Sequence, residues 1–283
     1  MYTTPLRYPG GKSVISPFLA NLFIINGWEH IVYAEPYAGG AGAAINLLLS
    51  NQVDRIMIND ANVGIYSFWW AVCNENERFC DWVMEQPVDL DAWAHWHRIF
   101  QSGEQPSFDL GFATFFLTRT NRSGILNAGP IGGNSPQKQE LAKYRIDCRF
   151  NREKLVQRIQ NIGRERDRIL VSNLDAILFL RQNNRTPNMF VYLDPPYYEQ
   201  GRSLYMSYYR PNDHIELARF LEAEAQFNWV LSYDSVDEIK AFYHNFDLLE
   251  YSIHYSARTA RLGREILASK PGIQLPDEIK LIK

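Results

Sequence analysis

The sequence predicts an α/β protein: a largely parallel sheet that ends in an antiparallel strand pair and carries a long helical insertion. Three patterns predict it. Apolar runs alternate with helical periods towards both ends of the chain, and about 100 residues between the second and third strands break that alternation. The last two strand-like runs follow one another with no helix between them.

Period and punctuation place strands near 30–35, 55–59, 168–173, 188–193 and 228–233. The first is closed by Glu35-Pro36, the second by Asn59-Asp60, the third by Ser172-Asn173 and the fourth by Asp194-Pro195. Helices are expected near 41–50, 62–72, 174–183, 212–226 and 235–244. Residues 246–255 alternate as a strand does, and Arg264 to Lys270 reads as another. Such a terminal antiparallel pair on a parallel sheet is the mark of the methyltransferase variant of the Rossmann-like fold. In doubly wound sheets ligands meet the carboxyl ends of the strands, where Asp60, Asp175, Asp194 and Asp234 gather.

Residues 63–118 look helical and hold Trp69, Trp70, Trp82, Trp93 and Trp96, whereas 121–139 is rich in Gly, Asn, Pro and Ser. Long loops of this kind are commonly functional. Residues 1–62 and 165–283 are therefore expected to form one discontinuous catalytic domain, with 63–164 an inserted target-recognition domain.

Composition narrows the classes. With 283 residues, 46% of them hydrophobic and 14% aromatic, the chain can bury a sizeable core as one large domain with an insertion or as two domains. Its three cysteines lack CxxC spacing, which disfavours a disulfide frame or a structural zinc site. The N-terminus lacks the apolar run of a signal peptide and no stretch of about 18 apolar residues occurs. A reducing cytoplasm is the expected setting. The formal net charge is only −3, but charge is segregated: residues 119–168 carry twelve Lys or Arg against five Asp or Glu, and 59–109 nine acidic against two basic side chains. A basic segment in an acidic chain suits a localised phosphate-binding face. Part of the excess belongs to an amphipathic helix over 151–168, where Arg164 to Arg168 alternate in sign.

The strongest chemical signal is Asp194-Pro195-Pro196-Tyr197 after the buried-strand run Met189 to Leu193. An exocyclic amine is a weak nucleophile because its lone pair is delocalised into the ring. A carboxylate and a fixed carbonyl, here Asp194 and Pro195, can each accept one N–H and help localise that lone pair. Proline holds φ near −65° and restricts the residue before it, so the acceptors are pre-organised. Tyr197 supplies a face on which a flat base can stack. The arrangement suits methyl transfer to an exocyclic amine.

Four short segments can build a cofactor pocket. Glu35-Pro36-Tyr37-Ala38-Gly39-Gly40 turns from the first strand into a helix, with glycines that let a ligand approach the backbone. Asp60 closes the second strand where ribose hydroxyls can be bound, and Asp175 after the third strand could meet a cofactor adenine. Tyr8-Pro9-Gly10-Gly11-Lys12-Ser13 ends as a P-loop does, but Leu6 occupies the position of the earlier glycine and no strand precedes it, which excludes that reading. His95 and His97 flank Trp96 without a third ligand nearby, and a packing role is expected, with no metal.

In this order, the Gly-Gly-Lys segment, the glycine turn, Asp60, the basic insertion and Asp-Pro-Pro-Tyr resemble the Dam-type adenine-specific DNA methyltransferases (D12 class, alpha group), over nearly the whole chain. The resemblance implies an S-adenosylmethionine-dependent enzyme acting on adenine N6 in double-stranded DNA, with the target base flipped from the helix. By it, Tyr8, Gly10, Gly11 and Lys12 help enclose the cofactor, and Glu35, Pro36, Tyr37, Gly39 and Gly40 line its methionine side. Asp60 holds the ribose, Asp175 faces the adenine, and Asp194 borders the cofactor. Asp194, Pro195, Pro196 and Tyr197 carry catalysis. Arg119, Asn121, Arg122 and Ser123 approach DNA, joined by Asn127, Lys138, Lys143 and Arg145, while Arg258 to Leu267 resembles the closing basic motif. Ala41 and Ser269 depart from the family's usual Gly and Asn. Related acceptors are cytosine N4, RNA adenine or a glutamine amide; Asp before the prolines favours adenine over cytosine, and the basic insertion favours nucleic acid over glutamine. A non-catalytic DNA-binding relative is the rival of another class.

Overall fold

The computed structural model describes residues 4–198, 209–255 and 261–276. Seven strands form one sheet in the order β3-β2-β1-β4-β5-β7-β6. In chain order these are β1 (Val32–Glu35), β2 (Arg55–Asn59), β3 (Ile169–Ser172), β4 (Met189–Leu193), β5 (Asn228–Asp234), β6 (Asp247–Tyr255) and β7 (Arg261–Ser269). The first five run parallel. β7 is antiparallel to both β5 and β6 and lies between them.

The later strand of the terminal pair is therefore the inner one. Ile266, Leu267 and Ala268 are buried, whereas Leu248 and Leu249 of β6 stay partly exposed, so the continuous apolar run occupies the position covered on both faces. β4 is buried at every residue. Its side chains alternate between the two layers: Phe190 and Tyr192 join one apolar cluster, Met189, Val191 and Leu193 the other.

Helices cover both faces. One layer contains α1 (Ser16–Ile25), α2 (Gly42–Leu49) and the inserted α3 (Val63–Asn74), α4 (Asn76–Glu85), α5 (Leu90–Ser102), α6 (Phe108–Thr120) and α8 (Arg152–Arg164), while the short α7 (Pro136–Leu141) buries none of its residues. The other contains α9 (Ala176–Asn183) and the helices Pro211–Ala223 and Asp237–Phe242. The pattern of the sequence did not disclose α1, which has Pro17 in its first turn and follows no strand among the described residues, or the six-residue α7, capped by Ser135 inside the Gly- and Asn-rich segment.

The insertion does not keep a core apart from the sheet. A single apolar cluster runs from Ile58 and Phe190 through Phe68 and Trp69 to Trp96, Phe112 and Phe115. Edge-to-face contacts such as Phe68 with Phe79 and Trp82 with Phe108 bind α3, α4 and α6 to one another. His97 stacks on Trp93 and His95 meets Trp96 edge-on, so both histidines pack against aromatic rings. Among the described residues no helix is long and apolar enough to cross a membrane.

Candidate active site

Strand ends supply the site. Glu35 is the last residue of β1, Asp60 and Asp194 directly follow β2 and β4, and Asp175 caps α9 after β3 by accepting from the amides of Ile177 and Leu178. These four carboxylates border one cleft of about 960 Å³ including its open mouth. Tyr8, Gly10, Gly11, Lys12, Pro36, Tyr37, Gly39 and Gly40 also line it, as do Asn62, Tyr192, Pro196 and Tyr209.

The glycine turn is held from three sides. Gly39 donates its amide to Asp60 Oδ2 at 2.8 Å, and Trp69 Nε1 of α3 donates to the Gly39 carbonyl at 2.9 Å. The Tyr8 ring lies across it: a Cβ on Gly39 would come within 2.7 Å of that ring, and φ of +46° there already favours glycine. Ala41, in place of a further glycine, adopts the left-handed region with φ 43° at the position that caps α2. Beneath the turn, Asn59 joins two loops. Its Nδ2 donates to the carbonyls of Pro36 and Leu174, and its Oδ1 accepts from Ser172 Oγ and the Leu174 amide. Nothing local marks this fully buried asparagine as the link between the β1 and β3 loops.

Burial sets the charge of the carboxyls. Asp60 accepts from the amides of Gly39 and Asn62, yet desolvation pushes it up to about 6. Glu35 Oε1 accepts from Tyr33 Oη and the Ala44 amide, each at 2.9 Å, and burial still raises it to about 8. Asp194 is also raised by burial to about 6, against the opposing pull of Lys12.

Around Asp194 the contacts extend through both ends of the chain. Lys12 Nζ lies 3.3 Å from Asp194 Oδ1, and Ser232 Oγ donates to the same oxygen at 3.1 Å. The serine has one proton to give, so Tyr192, 2.7 Å away, donates its own to Ser232. Lys12 also donates to Tyr197 Oη at 2.8 Å and to both oxygens of Glu265 at 3.2 Å. The hydroxyls of Tyr197 and Tyr251 donate to Glu265. Burial depresses the ammonium of Lys12, but Asp194 and Glu265 outweigh it and raise its pKa.

Tyr197 and Pro195 are not among the described residues that line the cleft. The Tyr197 ring is buried, with its hydroxyl directed at Glu265. Lys12 sits 5.4 Å from the ring centroid but 2.8 Å from the hydroxyl, an end-on contact. Tyr198 is anchored by its amide to Asp234 Oδ1 at 3.1 Å.

The model of one protein family, the D12 class N6 adenine-specific DNA methyltransferases, matches residues 8–257, which takes in the cleft, the insertion and the Asp194 segment. The chain belongs to that family. It is also 21% identical over 237 residues to the type II methyltransferase M.CviBI of Paramecium bursaria Chlorella virus NC1A, an alignment covering 83% of this chain and 85% of the viral enzyme. The protein is thus an adenine-specific DNA methyltransferase that moves a methyl group from a donor to N6 of adenine, with DNA as its substrate.

In this methyltransferase the residues expected to approach DNA divide into two groups. Arg122, Asn127, Lys138, Lys143 and Arg145 are exposed on the inserted segment, and Ser123 beside them is half-buried with φ 56°. Asn121 and Arg119 are corrections. Asn121 is fully buried: Oδ1 accepts from Trp93 Nε1 at 2.7 Å, and Nδ2 donates to the carbonyls of Ile125 and Leu126. That amide shapes the loop and is closed to a base or phosphate. Arg119 directs Nε and Nη2 at the Pro5 carbonyl; burial, with Arg158, Arg7 and Arg149 nearby, lowers it to about 9. It clamps the N-terminal segment to α6. Of the closing basic motif, Arg258 lies outside the described residues, whereas Glu265 is at the centre of the site.

Proposed function

We propose that the methyl donor is S-adenosylmethionine, bound in the cleft, and that the target adenine is flipped out of duplex DNA to meet Asp194. The observation that carries this reading is the convergence of the glycine turn, Asp60 and Asp194 on one cleft. The cleft also fits the donor electrostatically: the carboxylates of Asp60, Asp175 and Asp194 border it against the single ammonium of Lys12, which favours a ligand carrying ammonium and sulfonium charges. When bound, the cofactor supplies an electrophilic methyl group.

The chain's own residues supply the rest. Tyr8 and the Gly39-Gly40 turn form a close-fitting wall, Asp60 accepts from the ribose hydroxyls in this reading, and Asp175 borders the cleft beyond β3. Asp194 accepts one N–H of the adenine amine and the Pro195 carbonyl the other. Pro196, which lines the cleft, offers apolar surface to the base. Extrusion of the base costs a few kcal/mol in lost stacking and pairing. Contacts from the exposed basic residues of 63–164, the recognition insertion in this reading, offset that cost. The likeness to a type II methyltransferase supports a restriction-modification setting.

The test is transfer of labelled methyl from S-adenosylmethionine to duplex DNA by the purified protein, with sequencing that detects N6-methyladenine. Binding of the cofactor without transfer to any duplex would reject adenine in duplex DNA as the acceptor.

A further inference from the structure

Glu265 has no part in the reading above, yet it is a fully buried carboxylate at the site, and Lys12, Tyr197 and Tyr251 all donate to it. It shares the first of them with Asp194. The Lys12 ammonium lies 3.2 Å from both oxygens of Glu265 and 3.3 Å from Asp194 Oδ1, so two carboxylates compete for one cation at nearly equal range.

We propose that Glu265 is a positioning residue for methyl transfer: it holds the Lys12 ammonium so that Asp194 can exchange that bond for the adenine amine. The inference rests on the reading that Asp194 accepts that amine.

Charge and donor counting both lead there. Lys12 donates to Asp194 where an incoming amine N–H must donate. When the amine arrives, Lys12 has to give up that bond inside a buried site, where an uncompensated charge is costly. Glu265 already holds it, so the exchange leaves no cation unpaired. In the transfer itself the N6 lone pair forms the new N–C bond, and the C–S bond breaks with its electron pair going to sulfur. Positive charge passes from sulfur to N6, which then releases a proton to water. Asp194, Glu265 and Lys12 together carry a net single negative charge, complementary to that gain. With Glu265 neutral, the ammonium and Asp194 would cancel.

Glu265→Gln keeps the shape of the side chain and removes its charge. Using full-length protein, duplex DNA and S-adenosylmethionine, this variant should transfer methyl about tenfold or more slowly at its pH plateau. Its affinity for the cofactor and its KM for DNA should stay within about threefold of wild type. The acid limb of its pH–rate profile should move to lower pH, because an anion beside Asp194 is gone while Lys12 remains. Of the other titratable groups that face Asp194, Tyr33 and Glu35 on β1, Tyr192 on β4 and Tyr233 on β5 do not hydrogen-bond to residue 265, whereas Tyr251 on β6 donates to it and keeps a neutral acceptor there in the variant. In a Lys12→Met background the same substitution should slow transfer by no more than about twofold, since Glu265 acts through Lys12.

A wild-type rate in Glu265→Gln, a slower rate with an unmoved acid limb, or an equal loss in the Lys12→Met background would each overturn the inference. Should Lys12→Met be too slow to measure, the acid limb alone decides. Failure of the wild-type protein to methylate adenine would remove the functional reading and this inference with it, whereas a failure confined to the Glu265 variants removes only the inference.

Discussion

Gly39 and Asp60 are joined by a hydrogen bond from the glycine amide to Oδ2 at 2.8 Å, and Asp60 Oδ1 accepts from Asn62 at the same distance. One side chain therefore fixes the glycine turn after β1 and the start of α3. Asp60→Ala should weaken S-adenosylmethionine binding by about 1–3 kcal/mol, the scale of hydrogen bonds to a charged group. Calorimetry that finds cofactor affinity unchanged would place the ribose elsewhere.

Asp194→Ala should lower the rate of methyl transfer roughly 10²–10³-fold, as loss of one interaction strengthened in the transition state commonly does. Cofactor affinity should stay within a few fold. Burial holds the Asp194 carboxyl at about 6, and only its ionised form accepts the amine. The wild-type rate should accordingly fall as pH drops through about 6, and single-turnover rates across pH 5 to 8 would reveal it.

Glu35 gives a stability prediction with a definite sign. Its carboxyl goes from 4.5 to about 8 on folding because of burial, so between those values the folded chain binds a proton that the unfolded chain releases. Stability contributed by that proton is present below pH 4.5 and is lost as pH rises through about 8. Glu35→Gln should therefore melt higher than wild type at pH 8, by roughly 2–4 °C or more, with the gap closing at pH 4. Melting curves of the cofactor-free protein that run in parallel at both pH values would contradict this.

The exposed and clamped cations of the insertion should behave differently. Replacing Lys138, Lys143 and Arg145 with Ala should weaken duplex binding and reduce the salt slope by about 0.9 for each phosphate that is no longer neutralised. Arg119→Ala should instead lower the melting temperature, because it releases the Pro5 carbonyl, and should leave the salt slope unchanged. Titrations at several salt concentrations separate the two effects. Equal slopes for wild type and the triple variant would move the DNA-facing surface away from this segment.

These contrasts mark what was legible in the sequence. β2 and β4 are short apolar runs ended by Asp60 and Asp194, so their positions and the residues at their ends follow from local pattern. Asn121 sits among Gly, Asn and Arg and reads as surface, yet it is buried by Trp93, a residue of another helix. Glu265 is one acid in a basic stretch, and its meaning depends on Lys12, 253 positions earlier. Local composition carries no trace of such a pairing. The inner position of β7 is similarly set by which strand is covered on both faces, a tertiary fact that alternation within one segment only suggests.

Because β7 slots between β5 and β6, Glu265 reaches Lys12 only when the last strand of the sheet is in place. Contacts this distant in sequence form late in folding. During synthesis the amino-terminal half of the site emerges first and waits for its counter-charge until residue 265 has been added. On the inference drawn for Glu265, a nascent or prematurely terminated chain can display the cofactor turn and the basic insertion and still lack full methylating power.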